Sequence, residues 1–363
     1  MKAPFRSDHV GSLLRPKALQ AARAQYAAGS IDAAALAEIE DAQIRTIVRR
    51  QEAIGLQGVT DGELRRSWWH LDFLWAFDGI ERIDIASGVA FAGASTRRQG
   101  LGVVAPIRCS GHPMVEHFRF LQALTSHTPK VTIPAPSALY GRPILPPIDH
   151  RVYPHTDALF DDLAEAYRQI VGEFAAAGCR YLQLDEVFIA MLCDAGYRQQ
   201  MLERGDDPDA LLKLYARSIN TAIADVPDDM SVTLHLCRGN YRSTYMGAGG
   251  YEAVDQVLFN EINVDAYFLE YDNERSGGFE PLRFLPKGKK AALGLVTTKV
   301  GALERADDLR RRIDEAARYA DIDALCLSTQ CGFASTEEGN QLTEDEQWAK
   351  LERIVEVAES VWG

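Results

Sequence analysis

Short apolar runs alternate with longer amphipathic stretches along most of the chain. Eight of the runs read as strands: residues 8–12, 58–61, 130–133, 181–184, 232–235, 266–269, 292–295 and 324–327. Between them apolar positions recur at helical spacing. Asp32 is a natural N-cap for a helix whose buried stripe is Leu36, Ile39, Ile44, Ile47 and Val48. A second helix is expected over 159–177, closed by Gly178. Others are expected over 209–224, 303–320 and 343–361. Eight strands alternating with helices predict an α/β fold, a (β/α)8 TIM barrel forming one catalytic domain over residues 1–363. A doubly wound sheet is the competing arrangement. Residues 79–113 break the alternation. Gly88, Gly93 and Gly100 separate short β-prone pieces there, which predicts an inserted hairpin or lid.

Composition narrows the function. The chain is 47% hydrophobic and 25% charged, as expected of a globular protein with an ample core. A net charge of −13 with only short basic runs argues against nucleic acid as a partner. No apolar run resembles a signal peptide or would span a bilayer, so no membrane partner is expected and the cytoplasm is the default location. Six scattered cysteines read there as core thiols or metal ligands, not disulfides. A homo-oligomer is compatible with this composition.

In a barrel, catalytic groups gather where strands end. The polar residues of this chain do so. The first strand ends in Gly11-Ser12, the second in Asp61-Gly62-Glu63 and the fourth in Asp185-Glu186. The fifth ends in His235-Leu236-Cys237, the sixth in Glu270, the seventh in Thr297-Thr298-Lys299, and the eighth in Gln330-Cys331-Gly332. On a strand, residues i and i+2 share a face, so His235 and Cys237 project together. Imidazole and thiolate suit zinc. His235, Cys237, Glu270 and Cys331 can together hold it. Each also has an ordinary structural role available: Cys331 and His235 as core residues, Glu270 as a helix cap or a partner of Arg275 or Arg283. As ligands they would bring three negative charges. That suits a zinc ion that keeps a substrate thiolate nucleophilic better than one that makes hydroxide.

Taken in order, the motifs Asp8-His-Val-Gly-Ser12, Thr60-Asp-Gly-Glu63, Gln183-Leu-Asp-Glu186, His235-Leu-Cys237, Glu270 and Gln330-Cys-Gly332 resemble the catalytic domain of cobalamin-independent methionine synthase in a short, single-domain form. The resemblance implies a barrel, zinc on His235, Cys237, Glu270 and Cys331, and methyl transfer to the thiol of homocysteine. It also implies that Gly11 and Ser12 receive the amino-acid carboxylate, and that Glu63 and Asp185 hold the ammonium group.

Three departures concern the other substrate, the methyl donor. A chain of this length lacks the second barrel of the long synthases. Lys299 stands where the family has a proton-donating histidine, which makes it the candidate catalytic acid. The segment Pro134–Gly141 lacks the folate-stacking tryptophan, and Met191 stands near the place of a family glutamate. The donor is therefore open: methyltetrahydrofolate, a methylcorrinoid protein or a small methylated compound. Trp68 and Trp69 are candidate walls of a donor pocket, and His9 is a neighbour of Gly11-Ser12. Alkylation of another small thiol, as in epoxide opening by coenzyme M, fits less well, because a sulfonate thiol has no ammonium group for Glu63 and Asp185. A zinc-stabilised binding protein is the non-enzymatic alternative.

Overall fold

The apolar runs become strands buried on both faces, as parallel sheets covered by helices require. The computed structural model describes residues 3–142 and 148–363. In chain order the strands are β1 (Gly58–Val59), β2 (Asp78–Asp84), β3 (Ala90–Phe91), β4 (Ala94–Ser95), β5 (Gln99–Arg108) and β6 (Thr128–Pro129). They continue with β7 (Val131–Pro134), β8 (Tyr181–Glu186), β9 (Ser231–Leu236), β10 (Ala266–Glu270), β11 (Lys290–Val296) and β12 (Leu325–Thr329). Strands β7 to β12 form one parallel sheet in sequential order, and β1 pairs in parallel with β6. Lys130 joins the two groups: it lies between β6 and β7, and its N–H donates to the Val59 carbonyl at 2.8 Å. The class is α/β, as expected.

The expected first strand is shorter than the pattern suggests. Only a single parallel bridge, Ser7 to Leu327, links residues 6–10 to β12, with Asp8 N–H donating to Leu327 O at 3.0 Å. Beyond it the ladder yields to side chains. His9 N–H donates to Asp8 Oδ1 at 2.8 Å, and Val10 N–H to Thr329 Oγ1 at 3.2 Å.

The helices follow their caps. Asp32 accepts from Ala35 N–H and opens the helix Ala33–Ala53. Thr343 and Glu346 form a reciprocal capping box at the start of Glu344–Trp362. The helix Thr156–Ala176 is followed by Gly178 at φ +95°. The helix expected over 303–320 is shorter, Ala306–Ala316. Among the described residues no helix is long and apolar enough to cross a membrane.

The inserted segment is a hairpin. β2 and β5 pair antiparallel, and β3 and β4 form its tip. The tip reaches the C-terminal ends of the parallel strands. Ala92 N–H donates to Tyr245 O at 2.9 Å, and the Phe91 and Tyr241 rings are 5.3 Å apart. Arg97 pairs with Glu337 at 2.8 Å and Glu338 at 3.2 Å.

A fully buried ion pair lies under the strand ends. Lys130 Nζ is 3.1 Å from Asp8 Oδ1 and 2.6 Å from the His9 carbonyl. Asp8 also accepts from Tyr181 Oη at 2.7 Å and from Phe5 N–H at 3.2 Å. The ammonium sits 4.1 Å from the centroid of the Phe268 ring. Removing one member of such a pair strands a charge and costs about 3–5 kcal/mol. Lys130→Met is therefore expected to lower the unfolding free energy by about 3 kcal/mol or more in urea titration. A change below about 1 kcal/mol would show that the pair does not hold the residues 6–10 segment.

Candidate metal centre and pocket

The end of β9 carries the first two site residues. His235 lies in the strand and Cys237 just past it, on the same face, as the i, i+2 spacing requires. Cys331 arrives from β12, two residues beyond its end. One ligand atom from each of His235, Cys237 and Cys331 falls within 4.8 Å of the others, and all three residues are buried. Neither ring nitrogen of His235 has a hydrogen-bond partner among the described residues. A buried imidazole without partners is costly unless something else binds it. The two sulfurs are unequal. The neighbouring Cys237 thiol, by hydrogen bonding, holds Cys331 well below the ordinary thiol range against the effect of burial, and His235 and Lys299 add to this. One nitrogen and two sulfurs with a stranded imidazole fit zinc, and a three-ligand set is the pattern of a catalytic site with one open position.

Glu270, the fourth expected ligand, stands beside this group and not in it. Its carboxylate is buried and fully engaged. Oε2 accepts from Arg238 N–H at 2.6 Å, and Oε1 pairs with Arg275 and lies 3.5 Å from Lys299 Nζ. The alternative partner read from the sequence, Arg275, is thus present. Burial would raise this carboxyl, but Lys299, Arg275 and Arg238 outweigh it and hold it at about 2. Lys299 does not line the cavity described below. Its ammonium lies between Glu270 and Asp272, 3.8 Å from the latter.

The three ligand residues open on a cavity that Ser12, Glu63 and Asp185 also line. Asp185 is beside His235 in the β8–β9 register. It accepts from Gln183 Nε2 at 2.7 Å, and burial raises its carboxyl to about 7. Glu63 is raised by burial too, although Arg66 and Arg15 oppose this. Its Oε1 accepts from Thr132 Oγ1 at 2.8 Å, while Oε2 lies 3.4 Å from the Arg66 guanidinium. The backbone of Glu63 sits at φ +56°, a rare conformation for a residue other than glycine, which aims the carboxylate inward. Two acids raised by burial are suited to a cationic group that would pair with both.

Gly11 and Ser12 come from the turn after the Ser7–Leu327 bridge. Gly11 has φ +138°, and a Cβ there would lie 2.6 Å from Thr132 Cγ2, so glycine alone fits. Its carbonyl accepts from Thr60 Oγ1 at 2.7 Å. Ser12 packs against Gly332, where a Cβ would approach Ser12 Oγ to 1.9 Å. Gly11 itself does not line the cavity. The rest of the wall is largely apolar: Trp69, Phe91, Val187, Phe188 and Met246, with Arg142 and Asn240. Of the tryptophan pair only Trp69 reaches it; Trp68 is core. His9 is buried away from the cavity, and burial lowers it to about 4, so it is neutral.

Arg142, Phe91, Asn240 and Met246 were not among the residues singled out from the sequence. Phe91 belongs to the hairpin that was expected as a lid, and that was its one signal. Asn240 donates to Gly332 O at 2.8 Å and so ties the loop after β9 to the loop after β12.

The fold and site define an α/β protein with one imidazole and two cysteine sulfurs, a group that could hold a metal ion, gathered at the C-terminal ends of its parallel strands. The chain belongs to the family of cobalamin-independent synthase catalytic domains, whose model matches residues 5–360. That makes it an enzyme of the methionine synthase-like methyltransferase type. Two uncharacterized Bacillus subtilis proteins, YxjG and YxjH, are 48% and 46% identical to it, each match covering 99% of this chain and 96% of the relative. A 5-methyltetrahydropteroyltriglutamate–homocysteine methyltransferase of Ralstonia pickettii is 23% identical over 89% of this chain, which corresponds to 38% of that protein. A solved structure from Listeria monocytogenes, described as a candidate vitamin-B12-independent methionine synthase, shares 37% identity with a TM-score of 0.80, covering 100% of this chain and 99% of that one. A B12-independent methionine synthase from Shewanella sp. W3-18-1, in complex with selenomethionine, has the same fold, with a TM-score of 0.74, 21% identity and coverage of 99% and 98%.

The Ser12–Gly332 contact gives a direct test. Gly332→Ala is expected to push Ser12 aside and destabilise the protein by about 1–3 kcal/mol, the usual cost of overpacking. Denaturant titration checks this, and an unchanged midpoint would mean that the two loops are not packed as described.

Proposed function

We propose that this protein is a zinc-dependent methyltransferase that moves a methyl group to the thiol of homocysteine, forming methionine. The observation that carries the reading is the convergence of His235, Cys237 and Cys331 on the floor of a cavity that also holds two buried acids raised by their burial. His235, Cys237 and Cys331 would hold the ion, with Glu270 as the neighbouring carboxylate. When bound, zinc supplies a thiol acidified to thiolate at neutral pH. Glu63 and Asp185 take the substrate ammonium. Desolvated charge pairs of this kind orient a substrate as well as bind it. Ser12 Oγ receives the carboxylate, and Gly11 supplies the turn that presents it. The apolar walls exclude water from the line of attack. Trp69, Phe91, Phe188 and Met246 leave the methyl donor, methyltetrahydrofolate or another carrier, to approach from the hairpin side.

The same reading takes the strand array to be a closed (β/α)8 barrel and the chain to be one catalytic unit. The Ser7–Leu327 bridge on one side of the 6–10 segment and the Thr60–Gly11 hydrogen bond on the other support closure. All six cysteines are free, in keeping with a reducing cytoplasm. Coenzyme M and similar sulfonate thiols are disfavoured, because Glu63 and Asp185 would repel them.

The purified protein, incubated with homocysteine and a panel of methyl donors, should yield methionine by mass spectrometry with one zinc per chain. Cys237→Ser and Cys331→Ser should lose both metal and product. Retention of activity without zinc would sink the mechanism. Glu63→Gln and Asp185→Asn should each raise the KM for homocysteine about tenfold to a hundredfold, the worth of one charge-assisted hydrogen bond. Zinc content should be unchanged. Unaltered KM values would remove the acids from the ammonium site.

A further inference from the structure

Beside the metal-type ligands, Glu63, Asp185 and Arg142 bring charge to the cavity wall. Glu63 and Asp185 have partners in the chain, Arg66 and Gln183. Arg142 has no acid to meet. Burial pulls its guanidinium down to about 10, and the group that opposes this is the Tyr197 hydroxyl. That phenol is itself pushed up by burial, so it is neutral at pH 7 and no counter-charge. Arg142 Nε is buried with no hydrogen-bond partner among the described residues. Met1-Lys2 and the Pro-Ile-Leu-Pro-Pro run at 143–147 contain no Asp or Glu that could supply one. A guanidinium drawn out of water is ordinarily paired. The loop is built to hold it in place. Gly141 packs on the Phe188 ring, where a Cβ would come within 2.1 Å of Phe188 Cγ, so any larger residue would force the loop away. Gly141 N–H donates to Ser137 O at 2.8 Å, and its carbonyl accepts from Tyr197 Oη. The charge of Arg142 acts on Tyr197 on one side and on His70, which packs 4.6 Å from Trp69, on the other. Arg142 therefore stands on the wall that Phe188 and Trp69 form.

We infer that Arg142 receives an anionic oxygen group, a carboxylate or a phosphate, on the second substrate, so that the methyl donor of this enzyme is an anion. The inference rests on the methyl-transfer reading above, which requires a second substrate but does not set its charge. A guanidinium suits such a group, because its planar fork makes two parallel charge-assisted hydrogen bonds to a carboxylate or phosphate. Its place argues against the other anion in the cavity, the α-carboxylate of homocysteine. That carboxylate is one carbon from the ammonium assigned to Glu63 and Asp185, and neither acid is among the groups that act on Arg142. The apolar wall strengthens the pairing by keeping water away from it. A neutral donor of the same shape would leave the guanidinium desolvated and unpaired, and the site would discriminate against it.

Titration calorimetry on the full-length protein tests this without reference to turnover. The probes are p-aminobenzoylglutamate, inorganic phosphate and, as the neutral control, p-aminobenzamide. At least one anion should bind wild type more tightly than the control does. Arg142→Gln should weaken that anion about tenfold to a hundredfold, the worth of a charge-assisted hydrogen bond. Homocysteine affinity, titrated separately, should change less than about threefold. Arg142→Lys keeps the charge without the fork and should fall between wild type and Arg142→Gln. Preference for p-aminobenzoylglutamate would identify a carboxylate-bearing donor, and preference for phosphate a phosphorylated one. Anions that bind no better than the control would overturn the inference, and so would anion affinity unchanged in Arg142→Gln. A loss of homocysteine affinity as large as the loss of anion affinity would assign Arg142 to the amino acid and overturn it too. If Arg142→Gln does not fold, Arg142→Lys decides by the same two readouts. Wild-type protein that binds the anion through Arg142 but no homocysteine would refute the thiol reading and leave the anion site standing.

Discussion

The buried pair of Asp8 and Lys130 is the constraint on which the site depends. One carboxylate gathers Lys130, Tyr181 and two backbone N–H groups, and so fixes the 6–10 segment against β8 and the β6–β7 junction. Without that anchor a segment with a single β-bridge would have little to hold it. The turn that follows, Gly11-Ser12, is thereby delivered to the loop after β12, where Gly332 leaves just enough room for Ser12. The cavity wall is thus assembled from the first and last strand-like segments of the chain. Isolated charges are almost never buried, and this pair is tolerable because its lone pairs and protons are met by hydrogen bonds and an aromatic face.

The site built on this frame is electrically divided. Glu63 and Asp185 line one part of the cavity, both raised by burial. Behind the metal-type ligands stands a cluster with more cations than acids. His235, Cys237 and Cys331 lie between the two. A zwitterionic amino acid bearing a thiol would match such a division, with its ammonium towards the acids and its sulfur towards the centre backed by the cations. Both halves are attached to rigid strand ends, so the matching geometry is held before any ligand arrives.

Much of this was legible in the sequence because it is local. The helix caps at Asp32 and Thr343 and the i, i+2 pair at His235 and Cys237 all follow from rules spanning a few residues. The placing of acids and thiols after strands follows from the alternation, and the glycines of residues 79–113 marked the hairpin. What the sequence did not show depends on long-range competition for a partner. Glu270 ends its strand as a ligand should, but its contacts with Arg275, Lys299 and the Arg238 N–H come from loops that the strand pattern does not encode. The 8–12 run has the composition of a strand, but Asp8 and Thr329 side chains take the N–H groups that would have made the ladder. Arg142 and Met246 reach the cavity from loops whose course no periodicity encodes.

The depth of the charged cluster around Glu270 has a consequence for the conditions under which the protein works. Surface ion pairs weaken as salt is added, because at physiological ionic strength counterions screen charges over about 8 Å. Counterions cannot enter a group whose carboxylate and one guanidinium have no exposure at all. The electrostatic setting of His235, Cys237 and Cys331 is therefore carried inside the fold, insulated from the ionic strength outside.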